Sequence, residues 1–184
     1  MLTMLEKLKI RPLAKEDKQT IMQILRDTPE FKPAEVVVAE EVLDNYLRDP
    51  SGSGYYTFVA ELTNVTARGK APKQSRADIV GYICYGPTPL TEGTWDIYWI
   101  VVNSKKKGKG IGSALLAFAE NRINEAGGRL ILIETSSRPE YEGTINFYRF
   151  QGYELVSKIP DFYTPGDDKL TFEKRNESGK SKEV

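Results

Sequence analysis

The sequence predicts an α/β fold: a mixed, mostly antiparallel sheet with one central parallel strand pair, flanked by about four helices. Three observations predict it. Short runs of β-branched and aromatic residues alternate with stretches whose apolar residues recur at helical spacing. One run, Trp95–Val102, is joined through a helical stretch to another, Arg129–Thr135, so those two strands run parallel in a right-handed crossover. The last two runs face each other across Pro165-Gly166, a turn dipeptide, and so pair antiparallel.

Taken in order, Leu8-Lys9-Ile10-Arg11-Pro12-Leu13 alternates and reads as the first strand. Asp17 stands where an N-cap is expected, and Ile21, Ile24, Leu25 and Thr28 share one face of a helix that Pro29 ends. Ala39, Val42, Leu43, Tyr46 and Leu47 mark a second amphipathic helix, stopped at Asp49-Pro50. Ser51-Gly52-Ser53-Gly54 is a turn and Tyr55–Leu62 a strand. Thr63–Ala77 has little apolar content and carries Arg68, Lys70, Lys73 and Arg76, so it reads as a long hairpin loop. Asp78–Tyr85 is the third strand, ended by Gly86-Pro87-Thr88-Pro89, and Trp95–Val102 is the fourth. A third helix runs from Gly110 to Ala126 with Ile111, Leu115, Phe118, Ala119 and Ile123 on its apolar face, and Gly127-Gly128 stops it. After the strand Arg129–Thr135 come a polar loop, Ser136–Glu142, a short helix, Gly143–Phe150, and strands Tyr153–Pro160 and Lys169–Lys174. A single domain over residues 1–175 is expected, with a disordered polar tail from Asn176 to Val184.

Composition removes several chemistries. The chain has 184 residues and 26 basic against 26 acidic side chains, a balance that disfavours a general nucleic-acid binder. It has no histidine, which excludes histidine-based nucleophilic catalysis and makes a zinc site unexpected, so no metal is assigned. The one cysteine, Cys84, lies in an apolar strand pattern and reads as a core thiol. No run is apolar and long enough for a signal peptide or a membrane span, so a cytoplasmic location is expected. Neither nucleic acid nor a membrane is expected as a partner, and a homodimer is left open.

Between the fourth strand and the third helix lies Asn103-Ser104-Lys105-Lys106-Lys107-Gly108-Lys109-Gly110-Ile111-Gly112-Ser113. Such a loop can aim several backbone N–H groups at one point, where a helix N-terminus and the lysines add positive charge. The economical reading is a phosphate cradle. A Walker loop would need Lys-Ser or Lys-Thr after its last glycine, and Gly112 is followed directly by Ser113. A dinucleotide fingerprint turns tightly off its strand, whereas five residues separate Val102 from Gly108, and its third glycine would fall on Ser113.

Lys107-Gly108-Lys109-Gly110-Ile111-Gly112 resembles motif A of the GNAT superfamily of N-acetyltransferases, Gln/Arg-x-x-Gly-x-Gly/Ala after a strand. Lys107 departs from the usual Gln or Arg. A second stretch, Asn146-Phe147-Tyr148-Arg149-Phe150-Gln151-Gly152-Tyr153, looks like the family's motif B, in which Asn-x-Tyr in a short helix precedes Gly-aromatic at a strand. The resemblance extends from about Lys9 to Glu173. It implies the GNAT fold, whose central parallel strands splay apart, and acetyl-CoA as co-substrate. Ile100, Val101 and Val102 would contact the pantetheine arm through their main chain, and Lys107, Gly108, Lys109, Gly110, Ile111, Gly112 and Ser113 would hold the pyrophosphate. Lys105, Lys106 and Lys109 either reach the 3′-phosphate or are solvated. Asn146 would stand at the cofactor. Tyr148 takes the family's general-acid position, beside the plainer reading of a core aromatic.

An amine like lysine, with a pKa of about 10.4, must lose a proton before it attacks, and a leaving thiolate of pKa about 8.5 departs more easily if protonated. Asp96 matches the carboxylate position that some members use as base, with Glu134 as a competitor and a non-catalytic strand-start aspartate as the plain alternative. The helix acids Glu35, Glu40, Glu41 and Asp44, and the segment Asp161–Asp168 with its aromatics, could attract a cationic acceptor or could be ordinary solvated surface. Two function classes follow: an acetyl-CoA-dependent N-acetyltransferase acting on a primary amine, and a non-catalytic acyl-CoA-binding sensor of the same fold.

Overall fold

A computed structural model describes residues 5–65 and 78–176. The elements are β1 (Leu5–Pro12), α1 (Lys18–Arg26), α2 (Pro33–Arg48), β2 (Tyr56–Val65), β3 (Asp78–Pro87), β4 (Thr94–Val102), α3 (Ile111–Glu125), β5 (Leu130–Ser136), α4 (Glu142–Phe150), β6 (Glu154–Thr164) and β7 (Asp167–Arg175), with single 3₁₀ turns at Lys15–Asp17, Ser104–Lys106 and Pro139–Tyr141. The strands form one seven-stranded mixed sheet in the order β1-β2-β3-β4-β5-β7-β6. Its parallel pair is β4 with β5, as the crossover requires. Backbone packing divides the chain into two compact units: the residues up to Cys84 with Trp99–Phe118, and Tyr85–Tyr98 with Ala119 onward.

In the first unit α1 turns Ile21, Met22, Ile24 and Leu25 inward, and α2 turns Ala39, Leu43 and Tyr46. These meet Val59, Tyr82, Cys84 and Val101 of the strands in one core. Cys84 is fully buried, accepts from the Thr57 hydroxyl at 3.4 Å, and has its thiol pushed up to about 12 by burial. It is an inert core thiol at neutral pH. The Tyr82 hydroxyl is buried in the same core without a hydrogen-bond partner among the described residues, an arrangement that costs stability. Close packing of backbone is enforced at Gly81, where a Cβ would come within 2.6 Å of the Val101 carbonyl oxygen.

In the second unit Ile97, Ile131, Ile133, Leu170 and Phe172 fill the core. Antiparallel pairing of β5 with β7 runs from Leu130↔Arg175 to Ser136↔Lys169. The C-terminus of α3 closes through Gly127 at φ +78°, with Gly127 N–H on Asn124 C=O and Gly128 N–H on Ile123 C=O. This is the Schellman closure that the glycine pair anticipates.

Several expectations change. Asp17 does not cap α1 with its side chain. Instead it accepts from the Ala14 N–H at 2.9 Å and from both terminal nitrogens of Arg11, at 2.6 and 2.9 Å, while Arg11 Nε donates to Glu61 at 2.7 Å. Burial, which opposes its charge, is outweighed by these donors, so the Asp17 carboxyl titrates below the usual range. The loop expected to open at Thr63 is strand through Val65, and its remainder lies outside the described residues. Ser136–Glu142 is not merely polar loop, since Ser136 ends β5 and the 3₁₀ turn buries Tyr141. The hairpin turn at Pro165-Gly166 is present, but Asp161–Thr164 belongs to β6 and is bulged. Asn176, expected in the tail, donates its side-chain amide to the Gly128 C=O at 2.7 Å, and the rest of that tail lies outside the described residues.

Asp17→Asn should destabilise the protein by about 2 kcal/mol near neutral pH, the range for hydrogen bonds to charged groups. Because the folded value is depressed, this contribution is complete above the unfolded carboxyl pKa of about 3.9 and fades as pH falls through the folded value. Denaturant unfolding of wild type and variant as a function of pH should therefore show the two converging at acid pH.

Candidate functional site

The glycine loop belongs to the first unit. The Asn103 N–H is fixed on the Val80 C=O at 2.8 Å, and the Asn103 side chain accepts from the Lys105 N–H at 3.0 Å, starting the 3₁₀ turn. Lys107 N–H closes that turn on Ser104 C=O, so it is already engaged and the open cradle begins one residue later, at Gly108. Gly108 and Gly110 have φ of +78° and +77°, conformations that strain any L side chain, and a Cβ at either would point into open space. The first helical bond of α3 is Ala114 N–H to Gly110 C=O at 3.0 Å. The amides of Ile111 and Gly112 therefore stand outside the helical ladder at its positive end. Lys105 and Lys109 are exposed and Lys106 half-buried. What this arrangement can do chemically is receive an anion on backbone donors, with lysines nearby.

Just before the loop, Val101 is buried while Ile100 and Val102 are half-buried. Within the second unit the parallel ladder of β4 with β5 runs from Thr94↔Leu130 to Ile97↔Ile133, and stops short of Tyr98 and Glu134.

Asp96, half-buried on β4, accepts from the Thr88 hydroxyl at 2.5 Å. Burial pushes its carboxyl up, the Thr88 bond works against that, Glu134 adds to it and Lys169 subtracts; the net direction is upward. Glu134 is exposed and bound to Lys169 at 2.8 Å. Asp96 is thus shifted toward basicity.

Tyr148 is buried, 5% exposed, among Phe147, Tyr153 and Phe172, with ring centroids 5.6, 6.2 and 6.0 Å away. Burial raises its phenol above the ordinary value, which keeps it protonated. Its position is set by the end of α4. Tyr153 N–H bonds Tyr148 C=O, Gly152 N–H bonds Arg149 C=O, and Gly152 has φ +84°, another Schellman closure. The Gly-aromatic pair of motif B thereby ties Tyr153 to Tyr148, and the Tyr153 hydroxyl is anchored on Glu120 at 2.9 Å. Asn146 is exposed on α4.

The acids proposed to draw an amine already have work. Glu40 and Asp44 share Lys18 at 2.9 and 2.7 Å, and Glu35 accepts from the Lys32 N–H at the start of α2. Asp167 is buried, receiving the Ser136 hydroxyl and lying 3.6 Å from Arg138 Nε. Asp161 accepts from the Gly166 N–H, Asp168 pairs with Lys158, and the Phe162 ring is covered by the Lys169 ammonium at 4.5 Å. Glu41 alone among these is simply exposed. The sequence reading missed Lys169 and Thr88, because pairings across strands and hairpins leave no periodic trace. Among the described residues no group of His, Cys, Asp and Glu is arranged to hold a metal, and no helix is long and apolar enough to cross a membrane.

The family model described as acetyltransferase (GNAT) matches residues 18–153. Among solved structures, a protein assigned to the GNAT acetyltransferases from Desulfovibrio desulfuricans is 33% identical, with a TM-score of 0.78 over 93% of this chain and 99% of that one. The PaiA N-acetyltransferase from Thermoplasma acidophilum, in complex with coenzyme A, is 17% identical with a TM-score of 0.65 over 92% and 99%. The ribosomal-protein-S18-alanine N-acetyltransferase from Escherichia coli is 16% identical with a TM-score of 0.64 over 92% and 94%. These last two show likeness of fold alone. No curated protein matches. With the family model covering both the glycine loop and the Asn146–Tyr153 motif, the chain belongs to the GNAT family of acetyltransferases.

Proposed function

We propose that the protein transfers the acetyl group of acetyl-CoA to a primary amine, of a small molecule or a protein, by direct attack in a ternary complex. The observation that carries this reading is the open cradle at Gly108 and Gly110, whose positive-φ backbone has open space where a Cβ would stand and suits the approach of a phosphate. On this reading Gly108–Ser113 hold the pyrophosphate, with Lys107 beside it. Ile100, Val101 and Val102 offer main-chain groups to the pantetheine amides, one N–H polarising the acetyl carbonyl and stabilising its oxyanion. Asn146 supports the cofactor.

Asp96 serves as base, directly or through a water, because burial brings its carboxyl closer to the amine's range than an ordinary aspartate. Glu134 is the weaker candidate, since its charge is already met by Lys169. Tyr148 serves as acid. A phenol harder to ionise than usual is fully protonated at neutral pH, and gives up its proton only as charge builds on the departing sulfur. The protein would work as a soluble cytoplasmic enzyme without a metal. Which amine it accepts is decided by screening amines for thiol release from acetyl-CoA, and release with none of them would overturn the assignment of turnover.

Gly110→Val should abolish acetyl-CoA binding by calorimetry, since its side chain enters the cradle and strains φ +77°. A folded variant with wild-type affinity would remove the cradle from the site.

Tyr148→Phe should keep acetyl-CoA affinity and lower kcat by about ten- to ten-thousand-fold. A purely structural tyrosine would shift the melting temperature and leave turnover near normal.

If Asp96 is the base, kcat/KM rises with pH through its elevated value and then levels. Thr88→Val removes the bond that favours the ionised form, so that limb should move to higher pH, and Asp96→Asn should lose about a hundred- to ten-thousand-fold in rate. Identical pH profiles for wild type and Thr88→Val would exclude Asp96.

A further inference from the structure

Lys107 occupies the first motif position, where the family's usual residues are Gln or Arg, and its side chain is not idle. Its ammonium donates to Glu30 Oε1 at 2.9 Å. Glu30 sits in the connection between α1 and α2, far away in sequence and in the same compact unit. The Glu30 side chain is 19% exposed against 50% for Lys107, so the carboxylate has lost more of its water than the ammonium. Burial opposes the Glu30 charge, and Lys107 with a backbone donor more than offsets it, leaving the carboxyl below its usual range.

A second contact stands beside the first. Phe31 packs edge-on against Trp99 of β4, centroids 5.5 Å apart at 81°. The connection itself is ordered at both ends. Phe31 N–H bonds Thr28 C=O, the Thr28 hydroxyl bonds Ile24 C=O, and Lys32 N–H bonds the Glu35 carboxylate. Two adjacent residues of a rigid connection, Glu30 and Phe31, therefore grip the β4–α3 stretch at two points, one of them an ion pair on the glycine loop.

We propose that Glu30 is a positioning residue of the phosphate loop, which holds Lys107 in a paired state that an incoming phosphate group must share or break. The inference rests on the reading above, that coenzyme A binds its phosphates at this loop. A phosphate near Gly108 competes for the Lys107 ammonium, and whatever charge it gains is withdrawn from a partly desolvated carboxylate. Glu30 thus lowers the anion affinity of the loop and links phosphate binding to the segment Thr28–Lys32 through one ammonium. The pair needs a cation at this position, which lysine or arginine supplies and glutamine does not.

The test is calorimetry of coenzyme A with wild type, Glu30→Gln, Lys107→Gln and the double variant at several salt concentrations, with a melting curve for each. Glu30→Gln should bind coenzyme A about three- to thirty-fold more tightly, because Lys107 is released to the phosphate. Its affinity should also fall more steeply with salt, a readout that a merely structural contact would leave in place. Lys107→Gln should lower the melting temperature when Glu30 is present and much less when residue 30 is Gln, since the ion pair is then already gone. Equal or weaker binding by Glu30→Gln with an unchanged salt dependence overturns the proposal while leaving coenzyme A as the ligand. Binding by none of the four proteins overturns both readings.

Discussion

The site depends on how β4 is held. On one side Gly81 of β3 lets the Val101 carbonyl approach to where a Cβ would be 2.6 Å away, and Asn103 N–H is fixed on Val80 C=O. A side chain at Gly81 would push on backbone, which cannot rotate out of the way as a flexible side chain could. On its other side the ladder with β5 ends at Ile97↔Ile133. Pinned to β3 at Val80 and Gly81, the end of β4 delivers the glycine loop from a fixed start. Everything after Val102, from the Asn103 turn to the first bond of α3, inherits that placement.

On the proposed mechanism, with no histidine in the chain, proton transfer falls to groups whose ordinary pKa values lie far from neutrality. Burial then does what residue choice cannot. It moves the Asp96 carboxyl upward and keeps the Tyr148 phenol protonated, the directions that the proposed base and acid need. The same logic separates Asp96 from Glu134. Both are carboxylates of the parallel pair, but Glu134 is exposed and paired with Lys169, whereas Asp96 is half-buried and accepts from the Thr88 hydroxyl.

Much of this was legible in the sequence, and the parts that were share one property: they depend on neighbours within a few residues. The apolar faces at Ile21–Thr28, Ala39–Leu47 and Ile111–Ile123, the Gly127-Gly128 stop, the Pro165-Gly166 turn and the positive-φ glycines of the loop are all local rules of backbone and periodicity. The unreadable parts are pairings set by the fold. Asp17 looks like a helix cap until Arg11 and Glu61 are brought beside it. The acids of Asp161–Asp168 look like solvated turn residues, yet Asp167 is buried against Ser136 because β7 pairs with β5 in that register. β6 runs on to Thr164 because a bulge absorbs Pro160–Tyr163, and nothing in the local residue pattern specifies that bulge.

Lys107 shows how a motif position can keep its place and change its partner. The proposed cradle of Gly108, Gly110 and the α3 N-terminus would work through backbone groups, which any sequence that tolerates φ near +77° supplies. The first position is different, since its contribution is a side chain, and a side chain is shaped by what the rest of the fold presents. Here the α1–α2 connection presents a carboxylate that is only 19% exposed. A neutral side chain at 107 would take this ammonium away from the carboxylate, whereas the lysine meets it and remains half in solvent. In the proposed arrangement the ammonium at 107 answers both to the ligand side and to Glu30, a partner 77 residues away.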